Sequence, residues 1–302
     1  MAVQSATIQA MAIELNQQEV LTPPTPSATV MVLRDSPHGL EVLLVRRHGD
    51  SKVLGGVHVF PGGKLDLLDC QTSDSQLDQT AETLAASLGE ATLDAATGAG
   101  LYVAALRETF EECGLLLHRE LAQHVPAELR QHLKSGLGFA AAMAQLGLPL
   151  QTSALKPWAR WITPRVPSVS NRRFDVRFFV ALAPAGQEAL HDDYEVTETV
   201  WLTPESALRQ YWSGDLGLVP AQILSLSQLV RHASAADVMN AACARLPLLV
   251  EPEPFVHEGV RTVCYPGDPR HTVTLPVWPG PTRLIFQNNR FEPEGGLAAL
   301  LG

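Results

Sequence analysis

Three carboxylates stand close together in the run Arg107-Glu108-Thr109-Phe110-Glu111-Glu112-Cys113-Gly114-Leu115. Good helix formers from Leu101 to Leu106 lead into it, and Gly114 suits a helix C-terminus. On a helix, Glu108, Glu111 and Glu112 are related as i, i+3 and i+4 and share one face. Like charges at that spacing repel by about a few tenths of a kcal/mol per pair. A divalent cation relieves the repulsion, and clustered carboxylate oxygens suit a hard ion such as Mg²⁺ or Mn²⁺. Arg107 can hold one carboxylate through a charge-assisted hydrogen bond. The same pattern would also serve as a solvated acidic helix face.

The upstream context favours the chemical reading. Phe60-Pro61-Gly62-Gly63-Lys64-Leu65-Asp66 is followed by Asp69, which stands beyond five residues that follow Gly63. Glycine pair, acid, spacer and Arg-Glu-x-x-Glu-Glu-x-Gly-apolar together resemble the signature box of the Nudix hydrolases. Two departures stand out. Asp69 occupies a position where that family usually has Glu, and the spacer runs from Cys70 to Leu106, about thirty residues longer than usual. The resemblance implies an α/β fold, a Nudix-type α/β/α sandwich with a mixed sheet, here with a helical insertion inside the box and a C-terminal extension. It also implies hydrolysis of a nucleoside diphosphate linked to a further group.

A second resemblance narrows the substrate. Leu43-Leu44-Val45-Arg46-Arg47, then Lys52, Gly56 and Phe60–Gly63, is similar to the element preceding the box in coenzyme A diphosphatases of the superfamily. Arg47 falls on that element's first arginine and Gly56 on its glycine. Lys52 replaces the second arginine, keeping the charge but losing a planar bidentate donor. The long insertion, Trp161-Ile162-Thr163-Pro164, the segment Arg173–Phe179 and Pro266-Gly267-Asp268 resemble the coenzyme A diphosphatases with an interrupted box, a mammalian peroxisomal group with bacterial relatives. For coenzyme A or acyl-coenzyme A the implied products are 3′,5′-ADP and (acyl-)4′-phosphopantetheine.

Chemically, a diphosphate repels a water nucleophile, so catalysis consists mainly of neutralising charge and positioning the reactants. Glu108, Glu111 and Glu112, helped by the main-chain carbonyl of Gly63 that the family implies, are the candidate ligands of Mg²⁺ or Mn²⁺. Glu108, Glu111 and Arg107 are the candidate catalytic residues. The general base is a carboxylate of this cluster or a later Glu, with Glu195 and Glu198 the candidates; either could instead be a structural or surface residue. Arg46, Arg47 and Lys52, with Gly62, form the candidate substrate-binding set, the cations serving an adenosine 3′-phosphate. Their plainer role is strand-end solubility.

Two alternatives remain: a Nudix pyrophosphatase of another dinucleotide (NADH, ADP-ribose or capped RNA), or a catalytically silent ligand-binding module. The intact Arg107, Glu108, Glu111 and Glu112 speak against silence, because a silent module has no need of a repulsive carboxylate cluster. Among other conspicuous side chains, His58 reads as a packed or hydrogen-bonded histidine. Arg173 and Arg177 could reach substrate or pair with Asp175. Trp158, Trp161 and Trp201 read as core, each able to stack on adenine. Cys113 reads as inert packing.

The chain of 302 residues suits one large domain, or one domain with a substantial appendage. Its net charge of −10 argues against a dedicated nucleic-acid surface while leaving room for a local basic pocket. The four cysteines are far apart, which disfavours structural zinc and a disulfide framework. The sequence shows no apolar run long enough to span a bilayer, no signal peptide and no peroxisomal C-terminal address; a cytoplasmic protein without a membrane partner is the expectation. Its partner is a small-molecule nucleotide substrate, coenzyme A-like, and a homodimer is left open.

Residues 1–27 read as a polar lead-in and 28–205 as the Nudix domain. Ala28–Leu33 and Glu41–Arg46 form a hairpin, and Val57–Phe60 is a short strand entering the glycine turn. The insertion, 70–100, carries five acidic residues, no Lys or Arg and much Ala; one or two helices packed outside the core are expected of it. Glu120–Gln145 is helical, broken by Gly136 and Gly138. Trp158–Thr163 and Arg173–Ala181 are strands, the second with the alternation of one buried face. Val196–Leu202 is a further strand, and Thr203-Pro204-Glu205 starts a helix over Ser206–Tyr211. Residues 206–302 are expected to form a helical and irregular extension packed on the Nudix domain, helical over 221–247, with short strands between Phe255 and Phe286 and a loosely ordered last dozen residues.

Overall fold

This computed structural model describes residues 15–302 except 17, 50–54, 120, 123, 168–170 and 192–195. Lys52, Glu195 and most of the lead-in therefore lie outside the described residues.

The elements follow in order as β1 (Thr25–Ser36), β2 (Gly39–Arg47), β3 (His58–Val59), β4 (Gly62–Lys64), α1 (Ala81–Ser87), α2 (Ala95–Cys113), α3 (Val125–Lys134), α4 (Phe139–Gln145), β5 (Lys156–Ile162), β6 (Phe174–Leu182) and β7 (Val196–Leu202). The extension adds α5 (Pro204–Ser213), α6 (Pro220–Leu229), α7 (Ala235–Cys243), β8 (Leu248–Val250), β9 (Glu253–His257), β10 (Val260–Cys264), β11 (Arg283–Gln287), β12 (Arg290–Glu292) and α8 (Gly296–Leu301). A mixed eight-stranded sheet runs β3-β2-β1-β6-β5-β8, with β4 on β1 and β7 on β2, and a second sheet runs β12-β11-β10-β9. Among the described residues no helix is long and apolar enough to cross a membrane.

Both faces of the main sheet are buried. Along β1, Val30 and Val32 pack towards α2, whereas Met31 and Leu33 pack towards α5–α7 and the second sheet. Side chains alternate faces along a strand, so an uninterrupted apolar run is what a sheet sandwiched between two layers requires. The same holds for β6: Phe179 and Ala181 serve one core and Phe178 and Val180 the other. This corrects the expectation of one buried face, and the layers are those of the expected α/β/α sandwich.

A fork in this sheet places the glycine turn. β1 and β2 pair over Leu33–Ser36 and Gly39–Val42, then part. Beyond the parting, β4 pairs with Ser27–Thr29 of β1 while β3 pairs with Val45 and Arg46 of β2. Phe60 and Pro61 bridge the gap, held by Val30 N–H to the Pro61 carbonyl (2.9 Å) and the Thr29 hydroxyl to the same oxygen (2.8 Å).

Three expectations need correction. β1 starts at Thr25, inside the expected lead-in, because its parallel pairing with β6 begins there. The insertion is not outside the core. Leu84 and Leu88 are buried with α2, whose first turns belong to the insertion, and Asp94 caps that helix on the Thr97 N–H (2.9 Å). The insertion's Glu90 also accepts from Arg177 Nε (2.8 Å) and Nη2 (2.6 Å) and pairs with Arg160 Nη1 (2.8 Å). Arg160 and Arg177 share Asp175 as well, at 2.7 and 3.0 Å. Finally, the last residues form α8, with Leu300 buried and its carbonyl taking the Ser227 hydroxyl (2.7 Å).

Candidate active site

α2 ends where the sequence says it must. Gly114 takes the left-handed conformation (φ 68°), which only a residue without Cβ adopts freely, and its N–H donates to the Phe110 carbonyl at 2.8 Å. The last two turns of α2 lie against β4, and contact there is possible only through the glycine pair. A Cβ on Gly62 would strike the Ala28 carbonyl and Thr29 backbone, and a Cβ on Gly63 would land on the Glu108 carboxylate. The Gly62 N–H donates to Glu112 Oε2 at 2.9 Å, and Glu112 is buried.

Arg107 organises the acids. Its Nε and Nη2 donate to the two Asp69 oxygens at 3.0 and 2.9 Å, its Nη1 to Glu108 Oε1 (2.8 Å) and Glu111 Oε2 (3.1 Å), and Nη2 also to the Lys64 carbonyl (3.0 Å). Asp69 is itself buried and accepts the Asp66 N–H at 2.9 Å. Burial works against the Arg107 charge, but the hydrogen bonds and charges of Asp69 and Glu108 outweigh it, and its pKa lies above the ordinary arginine value. Burial pushes the Glu111 carboxyl up, opposed by Arg107 and reinforced by Asp69 and Asp66.

The three carboxylates therefore do not crowd together as the helical spacing alone predicts. Glu112 turns to the Gly62 amide, Glu108 lies against Gly63, and Glu111, with 40% of its side chain exposed, turns outward on Arg107. Among the described residues no group of three His, Cys, Asp or Glu side chains is assembled for a metal ion. The donors are nonetheless all oxygen and lie within two helical turns beside a backbone cradle that a side chain would fill, which fits a hard divalent cation in chemical type.

Beside this corner opens a cavity of about 600 Å³. Gly62, Gly63, Lys64, Asp66, Glu108 and Arg47 form its polar end. Trp161, Phe174 and Phe178 from β5 and β6, with Val219–Gln222, Val263 and Tyr265 from the extension, form much of the rest. Of the candidate set the structure thus brings together Arg47, Gly62, Gly63 and Glu108 at one cavity; Arg107, Glu111 and Glu112 stand behind it. Arg46 does not line it and lies 3.7 Å from Glu198 instead. Glu198 also stays off the cavity, half exposed, 3.9 Å from His58 Nε2. Buried His58 has its pKa lowered by desolvation, partly offset by Glu198 and lowered further by Arg46.

Sequence reasoning missed Lys64, Asp66 and Arg172 at the cavity. Lys64 and Asp66 lie inside the glycine motif and could have been suspected from it. Arg172 carries no local signal. Arg177 proves to be a partner of Glu90 and Asp175, and Arg173 donates to the Thr163 carbonyl (3.0 Å). Trp158 and Trp161 are buried and Trp201 packs against the core, with Trp161 also on the cavity wall; Cys113 is fully buried.

The family model described as the NUDT19 Nudix domain matches residues 75–229. The acyl-coenzyme A diphosphatase NUDT19 of Xenopus laevis is 27% identical over 277 residues, covering 76% of this chain and 72% of that protein. The human protein of the same name is 26% identical over 272 residues, covering 76% and 69%. Among solved structures, a NUDIX hydrolase from Alicyclobacillus acidocaldarius is 28% identical with a TM-score of 0.58, covering 76% of this chain and 99% of that one.

Proposed function

This chain belongs to the NUDT19 Nudix family and is a Nudix hydrolase, and from that premise we propose that it cleaves the diphosphate of coenzyme A and acyl-coenzyme A, releasing 3′,5′-ADP and (acyl-)4′-phosphopantetheine. The observation that carries the proposal is the seating of the Glu108 carboxylate on the bare Cα of Gly63, at the polar end of a cavity large enough for a nucleotide-linked substrate. The relatives at 26–27% identity that bear the name acyl-coenzyme A diphosphatase supply the substrate class.

Glu108, Glu111, Glu112 and the Gly63 carbonyl are the groups that would hold one or more divalent cations, Mg²⁺ or Mn²⁺. Such a cation supplies positive charge against the diphosphate and makes water easier to deprotonate. The chain's own residues do the rest. Arg107 keeps Glu108 and Glu111 oriented and partly neutralised until substrate arrives. Arg47 and Lys64 flank the polar end and offer charge to phosphate oxygens. A carboxylate of the α2 cluster takes the proton of the attacking water, since Glu198 is directed elsewhere.

The test is turnover of coenzyme A against dephospho-coenzyme A, with Mg²⁺ or Mn²⁺. Preference for the 3′-phosphorylated substrate is expected. Equal turnover of the two, or preference for NADH or ADP-ribose, would overturn the substrate assignment and leave only the hydrolase class.

A further inference from the structure

The cavity's two ends differ in kind. The cationic residues on its wall, Arg47, Lys64 and Arg172, come from β2, β4 and the segment before β6. The part contributed by the C-terminal extension contains no charged residue at all: Val219, Pro220, Ala221, Gln222, Val263 and Tyr265 are its main members. A phosphorylated adenosine needs cations near its phosphate, so the uncharged wall that the extension supplies suits the other half of a coenzyme A-like substrate.

Three residues of this chamber's lining each carry a buried polar atom with no hydrogen-bond partner among the described residues: Trp161 Nε1, Gln222 Oε1 and the Tyr265 hydroxyl. Their residues are 6%, 7% and 0% exposed. Folded proteins seldom leave such groups unpaired, and a cluster of them on one cavity wall marks where a ligand completes the pairing. One donates, one accepts and one does both, the complement of amide groups carried on an otherwise apolar chain. The wall is also rigid, because Trp161 stacks on Trp278 (6.0 Å, 23° between planes) and meets Tyr265 edge-on at 6.0 Å.

We infer that the chamber between β5, β6 and the C-terminal extension receives the amide-bearing pantetheine arm and its acyl chain, with Trp161, Gln222 and Tyr265 as the groups that hydrogen-bond it. This deepens the reading of the chain as a coenzyme A diphosphatase and depends on it.

The experiment measures binding of 4′-phosphopantetheine and of 3′,5′-ADP to the full chain by calorimetry, for the wild type, Gln222→Leu, Tyr265→Phe and Ala221→Phe. Gln222→Leu and Tyr265→Phe are each expected to weaken 4′-phosphopantetheine about fivefold, the usual size of one neutral hydrogen bond, while 3′,5′-ADP binding is unchanged. Gln222→Leu should melt no lower than wild type, because it removes a buried acceptor that has no partner; a purely structural role for Gln222 predicts a lower Tm. Ala221→Phe fills the chamber and should raise KM for long-chain acyl-coenzyme A more than for coenzyme A. Loss of 3′,5′-ADP affinity instead would show that the base occupies the chamber. That result, or no change for either probe, overturns the inference. Wild-type turnover of coenzyme A and dephospho-coenzyme A, run alongside, reports on the substrate reading separately.

Discussion

Arg107 grips both oxygens of Asp69, at 3.0 and 2.9 Å, although the two stand 38 positions apart in the chain. The pair is buried at both ends. It explains how a shorter acid serves where the family usually has Glu: the chain after Lys64 brings Asp69 to the guanidinium directly. Removing one partner of a buried pair is costlier than the pair is worth, because the survivor is left charged. Asp69→Ala should therefore lower unfolding free energy by about 3 kcal/mol, the low end of the range since Glu108 and Glu111 still face Arg107. Arg107→Lys should lose kcat, because an ammonium cannot reproduce the fork. Denaturant melts and steady-state kinetics check both.

At Gly63 the backbone conformation itself tolerates a side chain, so any penalty of Gly63→Ala comes from the Glu108 carboxylate. That carboxylate is the end of a flexible side chain and can swing aside, so the cost is chiefly its hydrogen bond from Arg107, about 1 kcal/mol, and kcat should fall with it. Glu108→Ala in the Gly63→Ala background should cost little further stability without restoring turnover. A double-mutant cycle reads the coupling, and additive losses would refute the contact as its cause.

Glu112→Gln separates charge from geometry. The amide oxygen still accepts from the Gly62 N–H, so the turn and the Tm should be kept. If the Glu112 charge takes part in neutralising the substrate's phosphates, kcat falls on the order of 10² or more. Near-normal turnover by a folded protein would remove Glu112 from the site.

His58 sets an acid limit on stability. Its folded pKa is lowered by burial, whereas the unfolded chain has the ordinary value of about 6.5. Between the two, the unfolded state binds more protons. The stability contributed by a neutral His58 is thus full above about pH 6.5 and is lost as pH falls towards the folded pKa. His58→Gln should flatten the stability profile in that window, as measured by denaturant midpoints from pH 7.5 to 5.

Local signals carried the sequence reading far. The stop at Gly114, the Thr203 cap of α5 and the strand Val196–Leu202 each depend on neighbours in the chain, and each appears where expected. What escaped depends on distant partners. Helical spacing puts Glu108, Glu111 and Glu112 near one another, but their directions are set by Arg107, Gly62 and Gly63, and Gly62 and Gly63 belong to a different element. Glu90 looks like one more surface acid in an Ala-rich stretch until Arg177 and Arg160 are placed beside it. β6 alternates in polarity at its start, yet both its faces are covered once the extension folds over it. The chamber joins Trp161 to Gln222 and Tyr265, which no spacing rule connects.

The ties of Glu90 to Arg177 and Arg160 constrain how this form of the motif can change. The residues that divide the box are fastened into the sheet by charge and into the core by Leu84 and Leu88, so they cannot be excised to regenerate an uninterrupted box. Such a deletion would leave Asp175 alone to offset the charge of both Arg160 and Arg177. Transplanting this box into a shorter relative would likewise require a second anion beside Arg177, which makes the interruption a part of the frame that carries α2.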